Sequence, residues 1–530
     1  MHAVRSPNIV LIVADDMGFS DIGCYGSEIS TPALDKLAKN GLRFSSMYNS
    51  ARCCPSRASL LTGLYPHQAG IGHMVEDYGI PSPAYQGYLR QECVTIAEAL
   101  KQGGYQTGMS GKWHVGGSYG IEPSTWMPGT QKFPTPRQRG FDHFFGTLAG
   151  AGSYYNPHTL MEGDSLVEID VDKEFYYTDE ITKHAVKMIE QFQQTAAPFF
   201  LYVAYTAPHW PLHAPVEEIT KYRGTYLSGW DEIRKQRFAR LKETGLISRE
   251  WELSPRDDAA PPWEDANNKE WEDMRMAVYA AQIGCMDNGI GSIFAKLDDY
   301  SMTDNTLVIF LSDNGGCSEL LQEEGWIENH VGSKRNGTPV APGNDPKKMP
   351  GTEDTYMSYD LPWANVSNTP FRLYKHWVHE GGISTPCIVS WPEQLRERTR
   401  ILHEPVHLID IMATCLEVAG ISYPDEYNGH QITPLEGESL VPLLEGGEWK
   451  RNNPIFWEHE GNCAIRDEEW KLVSQYPGNW ELYNMAGDRT ELHDLSEHYP
   501  EIVQAMEKQY QEWANRCGVL PWETIKTYIV

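Results

Sequence analysis

Pro7–Asp16, PNIVLIVADD, is a short, β-branched apolar run that stops in two acids. That pattern predicts a buried central strand whose carboxyl end reaches a polar edge. Thr31–Gly41 opens on Thr-Pro, places Leu34, Leu37 and Ala38 on one face and ends in glycine, which predicts a helix. Leu42–Ser50 reads as a second strand, with a short helix, Arg57–Gly63, leaving it. Downstream the alternation recurs: a helix over Thr95–Tyr105, a strand at Phe199 running into a proline- and histidine-rich loop up to Pro215, long helical periodicity over Met274–Tyr300, and a strand over Thr306–Gly316 that ends in Asp and Asn. Strands alternating with helices imply an α/β body, a large mostly parallel sheet covered by helices on both faces. Such sheets take ligands beyond the carboxyl ends of their strands. Asp15, Asp16, His209, Asp313 and Asn314 are therefore expected along one edge.

Two polar intervals, Val216–Trp271 and Ile327–Asn368, interrupt this pattern and are expected to lie beside the sheet, where substrate discrimination can reside. Beyond about residue 445 the periodicity changes to roughly three strand-like pieces, with PGN and AGD turns, and then a terminal helix. We expect a body spanning 1–444 and a smaller C-terminal unit, 445–530, built of an antiparallel sheet and a helix.

Of the 530 residues, 41% are hydrophobic and 22% charged, the composition of a globular chain. No apolar run approaches the roughly 20 residues of a membrane span, so no transmembrane segment is expected. A net charge of -29, from 44 basic and 73 acidic residues, argues against nucleic acid as a partner. The ten cysteines lack zinc-site spacing and read mostly as small buried apolar residues. Ile9–Ala14 reads as a core strand rather than an export signal, which leaves localisation open: cytoplasmic as written, periplasmic or secreted if a signal peptide has been removed.

Asp15-Asp16 and Asp313-Asn314 each end an apolar strand, where they either cap it or, brought together, bind a hard divalent cation through oxygen. Lys112 and His114 in GKWHVGG, and His209 with His213 in TAPHWPLHAP, are loop residues that could bind an anion and shuttle protons beside such a site. Arg57 in CCPSRAS offers a permanently charged fork for an anion or an acidic neighbour. Either Cys53 or Cys54 could be a thiolate nucleophile, and composition does not choose between them. His67, His73, Trp210, Trp363 and His459 are candidates for the substrate entrance or, equally, for the core.

Taken together, CCPSRASLLTG (Cys53–Gly63), GYQTGMSGKWH (Gly104–His114), VADDMG, TAPHWP, LSDNGG and KHWVHEGG (Lys375–Gly382) closely resemble the formylglycine-dependent type I sulfatases of the alkaline-phosphatase superfamily. The order of these segments over residues 7 to 390 is similar to that family's, and their surroundings look most like its bacterial arylsulfatase branch. The resemblance implies an alkaline-phosphatase-like fold and hydrolysis of sulfate monoesters to an alcohol and inorganic sulfate. It makes Cys53 the residue oxidised to formylglycine, by a formylglycine-generating or anaerobic sulfatase-maturating enzyme, and leaves Cys54 as a variable neighbour. It implies one metal ion held by Asp15, Asp16, modified Cys53, Asp313 and Asn314, Ca²⁺ before Mg²⁺ because calcium tolerates a mixed, flexible oxygen shell. In the family's chemistry one hydroxyl of the hydrated aldehyde attacks sulfur, and the other, once deprotonated, expels the sulfate.

By the same correspondence Arg57 stabilises the modified residue and Lys112 contacts nucleophile and sulfate. His114 orients or deprotonates the diol, while His209 is the leaving-group acid, assisted by Lys375, whose five-residue separation from Glu380 matches the family. His213 is implied only as a pocket wall. The substrate would be a small aryl sulfate or a sulfated saccharide. Two other readings are phosphoester or phosphonate hydrolysis on the same scaffold, and an inactive metal- or glycan-binding protein.

Overall fold

The structure, a computed structural model, describes residues 6–322 and 331–529. Residues 1–5 and the beginning of the second polar interval, 327–330, lie outside the described residues. An 11-stranded sheet forms the body, running Ile401–Leu402, Leu42–Tyr48, Ser384–Ser390, Thr306–Ser312, Asn8–Asp15, Phe199–Pro208, Gln106–Gly111, His143–Thr147, Leu160–Glu162, Ser165–Leu166, with Val406–His407 also pairing Leu42–Tyr48. Its centre is parallel: Asn8–Asp15 lies between Phe199–Pro208 and Thr306–Ser312, with Gln106–Gly111 and His143–Thr147 following. The mostly parallel expectation holds there. Ser384–Ser390 runs antiparallel to both of its neighbours.

The pleat sorts each central strand between two cores. Val10, Ile12 and Ala14 face one side with Leu201, Val203 and Phe310, while Ile9, Leu11 and Val13 face the other with Phe200, Tyr202 and Ile309. The first face is covered by the helices Pro32–Lys39, Tyr177–Phe192 and Lys269–Asp299, the second by Cys53–Thr62, Ile96–Gln102 and Ile409–Ala419. Burial on both faces is why these strands read as continuous apolar runs rather than alternating ones. At Thr95 the local signal is equally direct: its hydroxyl accepts from the Glu98 amide at 3.1 Å and the Glu98 carboxylate accepts from the Thr95 amide at 2.7 Å, a capping box.

The Val216–Trp271 interval is more structured than its polarity suggests. Its helix Trp230–Thr244 buries Trp230, Ile233 and Leu241 together with Arg237, which binds Asp21 at 2.6 Å and Glu28 at 2.7 Å, so apolar packing and buried charge together fasten it to the body. The C-terminal sheet has four strands, Ile455–His459, Asn462–Asp467, Trp470–Ser474 and Trp480–Asn484, where the sequence suggests about three. Only Glu460 and Gly461, with φ of 51° and 81°, separate the first two, a turn too short to mark a boundary in the pattern. PGN joins the last two strands, whereas AGD follows the sheet. Two helices complete this region, Pro500–Cys517 and Trp522–Ile529. Among the described residues no helix is long and apolar enough to cross a membrane.

The small sheet is joined to the body by apolar packing of Trp457, Val473 and Tyr483 on Tyr48, Val378 and Ile383, and by a buried ion network. Lys471 reaches Glu380 at 3.0 Å and Glu491 at 2.8 Å, and Arg489 reaches Glu380 at 2.7 Å. Against burial, Lys471 and Arg489 hold the Glu380 carboxyl down to about 2. Its contribution to folding is complete above its ordinary 4.5 and is lost as the pH falls toward 2. Glu380→Ala takes from buried Arg489 its carboxylate and from Lys471 one of two, and should destabilise the protein by about 3–5 kcal/mol. Glu397→Ala, at the exposed pair with Arg400, should cost no more than about 1 kcal/mol. Urea midpoints of the two variants check this; equal shifts would contradict the assignment of the network as the joint.

Candidate active site

The topology sends six segments to one edge. Asn8–Asp15 delivers Asp15 and Asp16, Thr306–Ser312 delivers Asp313 and Asn314, Phe199–Pro208 leads into His209, and Gln106–Gly111 leads into Lys112 and His114. Leu42–Tyr48 is antiparallel to Ser384–Ser390, which is antiparallel to Thr306–Ser312; hence Leu42–Tyr48 ends, and Ser384–Ser390 begins, at that same edge. The first brings Cys53 and the second is preceded by Lys375. Gly111 has φ 117°, and a Cβ there would stand 1.9 Å from the Ala204 carbonyl oxygen, so the turn into Lys112 requires glycine. Asp16, Ala51 and His114 also have positive φ, 65°, 63° and 54°. Non-glycine residues in this region are strained, and such strain gathers where surrounding structure holds a site in place.

Cys53 is the first residue of the fully buried helix Cys53–Thr62, whose start is held by Ser56 Oγ accepting from the Ser50 amide at 2.9 Å. Arg57, one turn on, donates from Nε to Asp313 Oδ2 at 2.9 Å and from Nη1 to the Lys112 carbonyl at 3.0 Å, with Nη2 3.5 Å from Asp15. Its fork therefore holds the carboxylate array together from beneath. Lys112 Nζ donates to Asp15 Oδ2 at 2.5 Å, and Asn314 Nδ2 donates to Asp16 Oδ1 at 2.7 Å. Lys375 Nζ lies 3.0 Å from Asp16 and 3.3 Å from His209 Nε2, while His209 Nδ1 sits 2.6 Å from the Trp210 carbonyl. That last contact puts the proton on Nδ1 and turns the Nε2 lone pair toward Lys375.

Each predicted site residue is buried and at this edge: Asp15, Asp16, Cys53, Arg57, Lys112, His114, His209, Asp313, Asn314 and Lys375. A hydrogen bond from Cys54, helped by Lys112, His114 and Lys375, holds the Cys53 thiol well below its ordinary value despite burial, so this position favours an anion. Burial brings His114 down to about 4, leaving its ring neutral. Burial also lowers His209, whereas Asp16 and other nearby acids, against burial, raise Lys375. Burial and the Asp15 charge push the Asp313 carboxyl well up, the mark of too much negative charge in one place. Asp15 Oδ1 and Asn314 Oδ1 are buried with no hydrogen-bond partner. Two orphaned oxygens beside two further carboxylates fit a hard divalent cation.

A cavity of about 440 Å³ opens over Cys53, His114, His209 and Lys375. Its wall includes residues that carry no sequence signal: Arg52, paired with Glu319 at 2.9 Å, Glu76, Tyr119 and His158. Trp210 also lines it, its indole donating to Glu319 at 2.8 Å. The other entrance candidates do not. Trp363 is fully buried among Tyr226, Trp230 and Trp263, because the polar interval folds over it. His67 pairs with Glu458 at 2.9 Å, and His213 Nε2 lies 2.6 Å from the Thr355 carbonyl. His73 and His459 gather elsewhere, around Glu460. A larger cavity, about 670 Å³, lies between the small sheet and the body and touches none of the edge residues.

Residues 7–421 match the family model described as sulfatase, and residues 371–516 match that of the N-sulphoglucosamine sulphohydrolase C-terminal region. The chain is 32% identical to an uncharacterized sulfatase of Schizosaccharomyces pombe, over 97% of this chain and 95% of that one. It is 33% identical to the arylsulfatase of Klebsiella aerogenes, over 83% and 93% respectively. Among solved structures, Ps i-CgsB superposes with a TM-score of 0.67 at 25% identity, covering 96% of this chain and 93% of that one. With the model spanning most of the body and a relative matched almost end to end, the chain belongs to the sulfatase family and is a sulfate-ester hydrolase.

Proposed function

We propose that the chain hydrolyses sulfate monoesters, ROSO₃⁻, to an alcohol and inorganic sulfate through a nucleophile made by oxidising Cys53 to formylglycine and used in its hydrated form. The observation that carries this reading is the placement of Cys53 at a helix start, on the wall of a cavity that His114, His209 and Lys375 also line. A divalent cation, Ca²⁺ before Mg²⁺, held by Asp15, Asp16, residue 53, Asp313 and Asn314, would polarise the sulfate and favour an ionised nucleophile.

His114, which burial brings down to about 4 and so leaves neutral near pH 7, is the base for the hydroxyl protons at residue 53. Lys112 and Lys375 place positive charge where the sulfate oxygens would lie, in a site that excludes most water. His209 and Lys375 act as a pair on the leaving oxygen, the proton resting on Lys375 because burial keeps His209 neutral. Arg57 fixes the carboxylates from below. Maturation requires a formylglycine-generating or anaerobic sulfatase-maturating enzyme as partner.

A cavity of about 440 Å³ suits a small aryl sulfate or one end of a sulfated saccharide. The arylsulfatase of Klebsiella aerogenes supports the first, and Ps i-CgsB, solved in complex with k-i-k-neocarrahexaose, the second. The division into a catalytic body of residues 1–444 and a C-terminal α+β unit of 445–530 belongs to the same proposal, supported by the separate sheet that starts at Ile455.

Mass spectrometry of the peptide spanning Ala51–Arg57, from protein co-expressed with a maturation enzyme, should show the aldehyde at position 53. Cys53→Ala should release no sulfate above background, and near-normal turnover by that variant would end the covalent proposal. Lys375→Ala should lower kcat/KM on alkyl sulfates by about 10²–10⁴-fold, the usual worth of a general acid, and on aryl sulfates with good leaving groups far less. Equal losses on both would assign Lys375 to sulfate binding instead.

A further inference from the structure

Outside the catalytic edge, three chain segments bring imidazoles around one carboxylate. The loop after the helix Pro66–Ala69 supplies His73, the loop that carries Lys375 supplies His376, and the hairpin of the C-terminal sheet supplies His459 and Glu460. Glu460 is the hub: its Oε1 lies 3.4 Å from His73 Nδ1 and 3.6 Å from His459 Nε2, and its Oε2 lies 3.1 Å from His376 Nδ1. The ligand atoms of His73, His459 and Glu460 all lie within 4.8 Å of one another, from which small shifts would reach the roughly 3.3–3.6 Å between ligands of a tetrahedral Zn²⁺, while His376 stands outside that group.

Hydrogen bonding within the cluster does not account for it. The His376 contact is of hydrogen-bond length, but neither ring nitrogen of His459 makes a hydrogen bond although the residue is fully buried, and Nδ1 of buried His73 makes none either. The rings are nevertheless held in place, since Tyr78 stacks on His73 at 5.8 Å and Trp522 meets it edge-on at 5.3 Å. Burial lowers His459 well below its ordinary value and also lowers His73, and against burial a hydrogen bond from His376 holds Glu460 low. Deprotonated rings at His73 and His459 and an ionised carboxylate are the protonation states that metal binding needs. Glu460 and His376 remain partly exposed, leaving a way in.

We propose that His73, His459 and Glu460 form a second metal site, away from the reacting atoms, that takes Zn²⁺. Two imidazole nitrogens and one carboxylate suit zinc rather than calcium, and water takes the fourth position of the tetrahedron. The ion would staple the C-terminal hairpin to the loop that carries His73, while Glu460 also holds His376, whose amide donates to the Ala51 carbonyl at 2.8 Å. The site thus bears on the positions of both Lys375 and Cys53 without touching substrate.

The test is metal content of the full chain, saturated with Ca²⁺, exposed to ZnCl₂ and passed through gel filtration, together with the visible spectrum after CoCl₂ replaces ZnCl₂. Wild-type protein should retain one zinc ion per chain and give the intense absorption of tetrahedral cobalt. His73→Ala and Glu460→Gln should lose the ion with far-UV circular dichroism unchanged, whereas Asp15→Asn should keep it. Absence of retained zinc in the wild type, equal retention in both cluster variants, or loss in Asp15→Asn would each overturn the proposal.

Discussion

Asp15, Asp16 and Asp313 lie buried within one small region because two adjacent parallel strands end there together. Such a concentration of negative charge in a low dielectric is unstable unless cations are brought to it. The structure brings Arg57 from a helix start, Lys112 from the end of the Gln106–Gly111 strand and Lys375 from the loop before an antiparallel strand. Much else answers to that requirement. The glycine at 111, the left-handed backbone at Asp16 and the helix beginning at Cys53 all serve to aim these groups at one another. Even so, two oxygens remain without partners, and the Asp313 carboxyl is pushed up, so the protein's own cations leave room for a metal.

The C-terminal unit is part of the same arrangement rather than an appendage. Glu380, five residues after Lys375, is turned away from the catalytic edge and locked by Lys471 and Arg489 from the small sheet side. Glu460, from that sheet's first hairpin, meets His376, the residue after Lys375. One short loop is therefore gripped at two points by the smaller unit. The general acid proposed at Lys375 must be held within tenths of an ångström of its working position, and two anchors just after it provide such restraint.

Most of the fold was legible along the chain. The apolar runs at Asn8, Phe199 and Thr306 announce strands buried on both faces, and their terminal polar residues point to a shared edge because parallel sheets align carboxyl ends. Positions of the site residues were readable for the same reason, with CCPSRASLLTG and GKWH adding the family resemblance. Harder to read were the four-stranded C-terminal sheet, whose two-residue turn leaves no gap in the pattern, and the helix Trp230–Thr244, whose buried face interleaves Arg234 and Arg237 with Trp230, Ile233 and Leu241.

What the sequence determined by itself is thus whatever depends on local periodicity and on the identity of residues at strand ends: an α/β body, a polar edge, a cysteine at a helix start and a set of cations and acids able to work there. Tertiary structure alone decided which candidates line the cavity and which do not. Trp363 is sealed in the core, His213 is spent on a backbone carbonyl, and His73 joins His459 and His376 around Glu460, whereas Arg52, Glu76 and Glu319 shape the cavity. Contacts between residues hundreds of positions apart depend on how sheet, excursion and small domain pack, and no local spacing encodes that packing.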